Sequence, residues 1–166
     1  MALKLPKSIV VAEVGPRDGL QSFPRWIDTD IKVAMIDQLS DLGLPVIEVS
    51  NFAHPKVISH LRDAEEVFQR IKRRPGTVYR ALVPNARGAE RASRVGVDEM
   101  LGLITISATY TRKNQNMTID QAVEQNLESF RIAEAGQIPF VMALGMAFWC
   151  AYEGSTPEDN VIAVVP

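Results

Sequence analysis

Two hydrophobic periods alternate along this chain. Residues 8–14, SIVVAEV, form a short apolar run rich in β-branched side chains, which predicts a strand buried on both faces. From Asp28 to Leu42 the period lengthens: Ile31, Met35, Leu39 and Leu42 recur at helical spacing, with Asp28 or Thr29 as N-cap and Gly43 as the stop. PVIEVSN (45–51) predicts a second strand. A helix carrying Leu61, Ala64, Val67, Phe68 and Ile71 follows and halts at Pro75-Gly76. TVYRALV (77–83) predicts the third strand, and a short helix runs from Asn85 to Val95 before Gly96. DEMLGLITIS (98–107) predicts the fourth strand. The next helix is announced by Thr118 with Gln121 three residues on, a capping box, and it stops at Gly136. IPFVMALGMAF (138–148) supplies a fifth strand, and Thr156 as N-cap with Pro157 in the first helical position opens a sixth helical segment.

Strands alternating with helices require right-handed crossovers and a parallel sheet covered by helices. Two architectures fit: a doubly wound open sheet, or a (β/α)₈ TIM barrel, which takes about 250 residues. Five strands in 166 residues fall short of a whole barrel. The expectation is therefore a single α/β domain portion, residues 1–166, corresponding to roughly the first five β/α units of a longer TIM barrel.

Composition narrows the function. Apolar residues make up 46% of the chain, enough for a genuine core. Eighteen basic residues against 20 acidic ones leave no basic face for nucleic acid or an anionic membrane, so a small-molecule partner is expected. The lone cysteine, Cys150, rules out an intrachain disulfide and a CxxC zinc site, and points to a reducing compartment. With no signal peptide and no run approaching the roughly 20 apolar residues of a spanning helix, the sequence reads as cytoplasmic.

Both parallel architectures place ligands at the C-terminal ends of strands. The residues that follow the predicted strands are Arg17, Asp18 and Gln21; then Glu48, Ser50, Asn51 and His54; then Asn85; then Ser107, Tyr110, Lys113 and Asn114; and finally Cys150, Tyr152 and Glu153. At such a rim Asp18 can offer oxygen to a hard divalent cation, while Arg17 can grip an anionic oxygen or stabilise an enolate. A solvated Arg-Asp turn is the plainer reading of the same dipeptide. Equally plain readings exist elsewhere: Cys150 as a small buried residue, His54 as a loop histidine, RIKRR (70–74) as a solvated helix end, and Trp26 and Trp149 as packing residues.

The stretches EVGPRDGLQ (13–21), DQLSDLGLPVIEVSNFAHPK (37–56), ALVPNARGAERASRVGVDE (81–99), YTRKNQNMTIDQAVE (110–124) and CAYEG (150–154) occur in order over nearly the whole chain. Together they resemble the N-terminal half of the 3-hydroxy-3-methylglutaryl-CoA lyase family. The resemblance implies a TIM barrel that uses magnesium or manganese to cleave an acyl-CoA substrate to acetyl-CoA and acetoacetate, and a homo-oligomer in the full-length form. By the same resemblance Asp18 is a metal ligand, and Arg17 polarises the thioester carbonyl and stabilises the departing enolate. Glu48 lines the site and orients its polar groups, and Glu13 supports it. Gln21, Ser50, His54, Lys113 and Asn114 are the implied substrate contacts.

Some family features are absent. Its His-x-His metal ligands, later asparagine and late cysteine have no counterpart here, and His54 and His60 do not match them. Ala108 stands where the family carries glutamate, Met146 where it carries cysteine, and Ala151 where it carries proline. These differences leave a related 3-hydroxy acyl-CoA open as substrate. Two alternatives accompany the lyase reading: a Claisen-type acyltransferase of the same superfamily, and a non-catalytic half-barrel that binds a partner subunit.

Overall fold

A computed structural model describes residues 5–164. Its main sheet has five parallel strands: β1 (Ala12–Glu13), β2 (Val46–Asn51), β3 (Val78–Leu82), β4 (Glu99–Thr105) and β5 (Phe140–Gly145). They lie side by side in chain order. That order decides between the two expected architectures. A doubly wound sheet reverses direction at a switch point, whereas a barrel adds each strand beside the last. The molecule is the curled sheet and helical outer layer of a half-barrel.

Helices α1 (Thr29–Asp41), α2 (Ala64–Arg70), α3 (Ala86–Arg94), α4 (Ala108–Gln115) and α5 (Ile119–Ala135) connect the strands. After β5 come a small hairpin, β6 (Trp149–Cys150) with β7 (Gly154–Ser155), and a short α6 (Glu158–Ile162). The core lies between sheet and helices, built from Ile47 and Val49 of β2, Tyr79 and Ala81 of β3, Met100 of β4, and Ile36, Val67, Phe68, Ala89 and Ala133 of the helices. Because side chains alternate along a strand, Arg80 and Glu99 fall on the opposite, barrel-interior face. They pair there at 2.5 Å.

Several sequence expectations hold closely. The capping box at Thr118 and Gln121 is formed in both directions, α5 is capped at Gly136, and Asn85 caps α3 by accepting from the Gly88 amide at 3.0 Å. Gly43 and Gly96 take the left-handed conformation expected of helix-stopping glycines.

Four expectations need correction. The first strand is not buried on both faces: only Ala12 and Glu13 pair, and Ile9, Val10 and Val11 are exposed. It is an edge strand, bonded to β2 alone. The inward face of α1 is also rotated from the predicted one. Lys32, Ile36 and Ser40 are buried, while Ile31 and Leu42 face solvent. Two polar residues occupy that face because each finds partners. Lys32 Nζ donates to Asp63 and to the His60 carbonyl, and the Ser40 hydroxyl donates to the Ile36 carbonyl while accepting from the Tyr79 hydroxyl. Finally, α2 ends at Arg70, short of Pro75-Gly76, and α4 occupies a segment read only as a rim loop.

Candidate active site

The chain leaves β1 through a π-helical turn, Gly15–Gly19, in which the amides of Arg17 and Asp18 both donate to the Val14 carbonyl. A side chain at Gly15 would displace the Glu13 carboxylate. A Cβ there would lie 2.8 Å from Glu13 Oε1, which already accepts from the Gly15 amide at 2.6 Å. Glu13 therefore shapes the turn that presents Arg17.

Arg17 is the centre of the site. Its Nε donates to Glu48 Oε1, and its Nη1 donates to Asp18 Oδ1 at 2.7 Å. The two acids differ sharply in setting. The Glu48 side chain, in the middle of β2, is 2% exposed, whereas that of Asp18 is 63% exposed. The buried carboxylate fixes the guanidinium from behind, and the solvent-facing one flanks it at the rim. Among the described residues Arg17 Nη2 and Asp18 Oδ2 have no hydrogen-bond partner. Two donor hydrogens and one carboxylate oxygen thus point to whatever occupies the rim.

Beside this pair, Gln21 Oε1 accepts from Asn51 Nδ2 at 3.2 Å, and Asn51 Oδ1 accepts from the Ala53 amide. Asn51 is buried at the end of β2, so Gln21 is tethered to the strand that holds Glu48. Ser50 is buried on the same strand, just past a bulge that separates it from Glu48.

The other predicted contacts sit elsewhere. His54 is exposed, its Nδ1 accepting from the Lys56 amide, and it lines a groove beside α3. Lys113 lies over the Tyr152 ring at 3.9 Å, and Asn114 is exposed on α4. No hydrogen bond or ion pair among the described residues joins His54, Lys113 or Asn114 to Arg17, Asp18 or Glu48.

A second polar cluster joins rim residues that the sequence offered only one by one, with Cys150 buried as its plainer reading expected. Cys150 is fully buried, its thiol donating to Ser107 Oγ at 3.0 Å and its sulfur accepting from the Tyr152 amide. Burial pushes this thiol up, but the Ser107 hydroxyl and the amides of Tyr152 and Glu153 outweigh it, so its pKa lies below the ordinary value. Glu153 accepts from the Thr109 amide at 2.6 Å, tying the hairpin to the first turn of α4. Only the CAYEG motif hinted at this tie. Spacing alone does not show which helix a glutamate 44 residues away will cap.

The donor set tests the fit of a divalent cation. Hard cations take six or more oxygens, and Asp18 offers one unshared carboxylate oxygen. No group of three or more His, Cys, Asp or Glu side chains placed to hold a metal occurs among the described residues. The described residues do not by themselves make a metal site.

Comparison with known proteins supplies the family. The HMGL-like family model matches residues 8–166. The chain belongs to the HMGL-like family. Hydroxymethylglutaryl-CoA lyase of Bacillus subtilis is 41% identical over 157 residues, 95% of this chain and 52% of the relative. The crystal structure of the Bacillus subtilis HMG-CoA lyase superposes with a TM-score of 0.92 at 40% identity, covering 96% of this chain and 53% of that one. An HMG-CoA lyase from Acinetobacter baumannii, in complex with coenzyme A and 3-methylmalate, gives a TM-score of 0.89 at 38% identity, covering 94% and 51%. This chain thus spans about half the length of the HMGL-like relatives it matches.

Proposed function

We propose that the protein carrying this chain is a carbon-carbon lyase that cleaves 3-hydroxy-3-methylglutaryl-CoA to acetyl-CoA and acetoacetate. The observation that carries this reading is Arg17, locked by the buried Glu48 and flanked by Asp18, with its Nη2 donors open at the C-terminal end of β1. The lyase names of the HMGL-like relatives favour it over a Claisen-type acyltransferase.

The reaction removes the proton of the tertiary hydroxyl and breaks the bond between C2 and C3. The hydroxyl oxygen becomes the ketone of acetoacetate, and the bonding pair passes to C2 as the enolate of acetyl-CoA, which then takes up a proton. Charge develops on the thioester oxygen in that step. A guanidinium already held in place stabilises it without reorganising. Glu48 contributes by orientation: it fixes Arg17 Nε, so the remaining donors are aimed before substrate arrives. Gln21 and Ser50 are proposed to support substrate binding beside the pair, and Lys113 and Asn114 of α4 are proposed as substrate contacts farther from Arg17.

Asp18 is proposed as one ligand of a magnesium or manganese ion; no step here is routed through it. The lone buried cysteine fits a reducing compartment, and the cytoplasm is the proposed one. A homo-oligomer is proposed for the full-length form.

The test is product analysis after incubation with 3-hydroxy-3-methylglutaryl-CoA and either metal. Acetyl-CoA and acetoacetate in equal amounts support the reading. Free CoA from simple hydrolysis, or intact substrate, contradicts it.

A further inference from the structure

Glu48 has a charged neighbour on each side. Arg17, from the turn after β1, donates to its Oε1. On the other side the strand register sets Glu48 opposite Arg80 of β3, and Arg80 opposite Glu99 of β4. Ile47, Val49, Tyr79, Ala81 and Met100 pack in the core against the helices, so alternation turns Glu48, Arg80 and Glu99 together into the barrel interior. The result is a row of alternating charge from the turn after β1 to β4: Arg17, Glu48, Arg80, Glu99. Every side chain in it is at most 18% exposed. The row is unevenly bonded. Glu99 accepts from Arg80 Nε at 2.5 Å, which restrains the guanidinium through one donor. Among the described residues Arg80 Nη1 and Nη2 have no hydrogen-bond partner, Glu48 Oε2 has none, and no ion pair joins Arg80 to Glu48. Stability alone does not explain the Arg80–Glu99 pair, because well-packed apolar residues in an interior serve stability as well. An arginine with open donors, one strand from an acid with an open oxygen, is placed to act on that acid.

We propose that Arg80 is a positioning residue: restrained by Glu99, it steadies the Glu48 carboxylate from the side away from Arg17, and through Glu48 it aims Arg17. Neighbouring strands lie about 4.8 Å apart, so residues set opposite each other on one face are side-chain neighbours. Opposite charges in such positions attract, and buried charges are screened far less than exposed ones. The single bond from Arg17 Nε leaves the Glu48 carboxylate free to turn about its last side-chain torsion. A second positive charge on its far side removes that freedom, so the carboxylate presents one fixed oxygen to Arg17. The use of this alignment in carbon-carbon cleavage rests on the lyase reading, whereas the alignment itself rests on the register and the row of charges.

Two readouts on the full-length protein test this. The first needs no turnover: the Arg17 Nε–H resonance, assigned by its loss in Arg17→Lys, exchanges with water at a rate set by its bond to Glu48. Arg80→Gln is expected to speed that exchange at least about tenfold, and Arg80→Lys, which keeps the charge, to restore most of the protection. The second is steady-state cleavage of 3-hydroxy-3-methylglutaryl-CoA. Arg80→Gln is expected to lower kcat about tenfold with KM within about twofold. In the Glu48→Gln background the same change is expected to alter kcat less than about twofold, because Arg80 then has no carboxylate to act through. Arg17 exchange within about twofold of the unaltered protein, or an equal loss of kcat in both backgrounds, overturns the proposal. Should Arg80→Gln fail to fold, Glu99→Gln carries the test: it frees the Arg80 guanidinium and must speed Arg17 exchange, and exchange within about twofold overturns the proposal. The two readings fail separately. Arg80-dependent exchange in a protein that does not cleave the substrate removes the lyase reading alone, and cleavage with Arg80-independent exchange removes the positioning role alone.

Discussion

A buried carboxylate beside an arginine makes the sharpest prediction at the scale of single residues. Arg17 stands against the buried Glu48 carboxylate, and removing either partner leaves the other without its hydrogen-bonded mate. Glu48→Gln keeps the shape but loosens the guanidinium. Turnover should fall about a hundredfold, the cost of a misplaced catalytic group, with KM little changed; steady-state kinetics read this directly. An equal loss in KM would mean that Glu48 binds substrate instead of positioning Arg17. The motif EVGPRDGLQ made Arg17 and Asp18 visible in the sequence. It could not show that the partner behind Arg17 would be a glutamate 31 residues away, because strand pairing brings that residue in. The strand pattern put Glu48 among the rim residues, and the resemblance gave it a role at the site. His54 illustrates the converse: next to the motif in sequence, it faces a different groove in space.

Among the elements, several helix caps and stops were legible, whereas the end of α2, the whole of α4 and helix rotation were not. Caps and stops are local chemistry, so Thr118, Asn85, Gly43 and Gly96 announced themselves. The inward face of α1 depends on partners from other segments. Hydropathy therefore chose Ile31 and Leu42 over Lys32 and Ser40. Burial pulls the Lys32 pKa down, partly offset by Asp63, and its ammonium also lies 3.8 Å from the Trp26 ring. Lys32→Met should leave the Asp63 charge buried without its partner and destabilise the fold by about 3–5 kcal/mol, measured by denaturant unfolding. A change below about 1 kcal/mol would show that water reaches Asp63. The tie between α2 and α3 predicts a pH effect. Arg91 holds the Glu65 carboxyl below its ordinary value, against the opposing effect of burial. A depressed carboxyl stabilises the fold at pH above its unfolded pKa, and that stability is lost as pH falls through the folded value. Melting temperature should therefore drop below about pH 4, and Glu65→Gln should flatten part of that drop.

For the whole molecule, strand order carries the fold assignment, and alternation of periods had already reduced the choice to two architectures. What periodicity could not show was that the first strand lies at an edge. A buried parallel strand and an exposed apolar edge have the same composition. Both edges carry exposed apolar residues, Ile9, Val10 and Val11 before β1 and Val141 and Met142 on β5, with Phe148 and Trp149 beyond it. Unpaired edges and apolar patches promote association. The 166-residue chain by itself should sediment as concentration-dependent oligomers. A single monomeric species across a hundredfold range of about micromolar concentrations would show that the edges are blunted in solution.

The central claim is that Arg17, aimed by Glu48, stabilises the enolate. Its most direct test is the turnover number of Arg17→Gln with 3-hydroxy-3-methylglutaryl-CoA, alongside circular dichroism to confirm the fold. The account predicts a loss of about a thousandfold with an unchanged spectrum. Turnover within a few fold of the unaltered protein would contradict it and remove Arg17 from the chemistry.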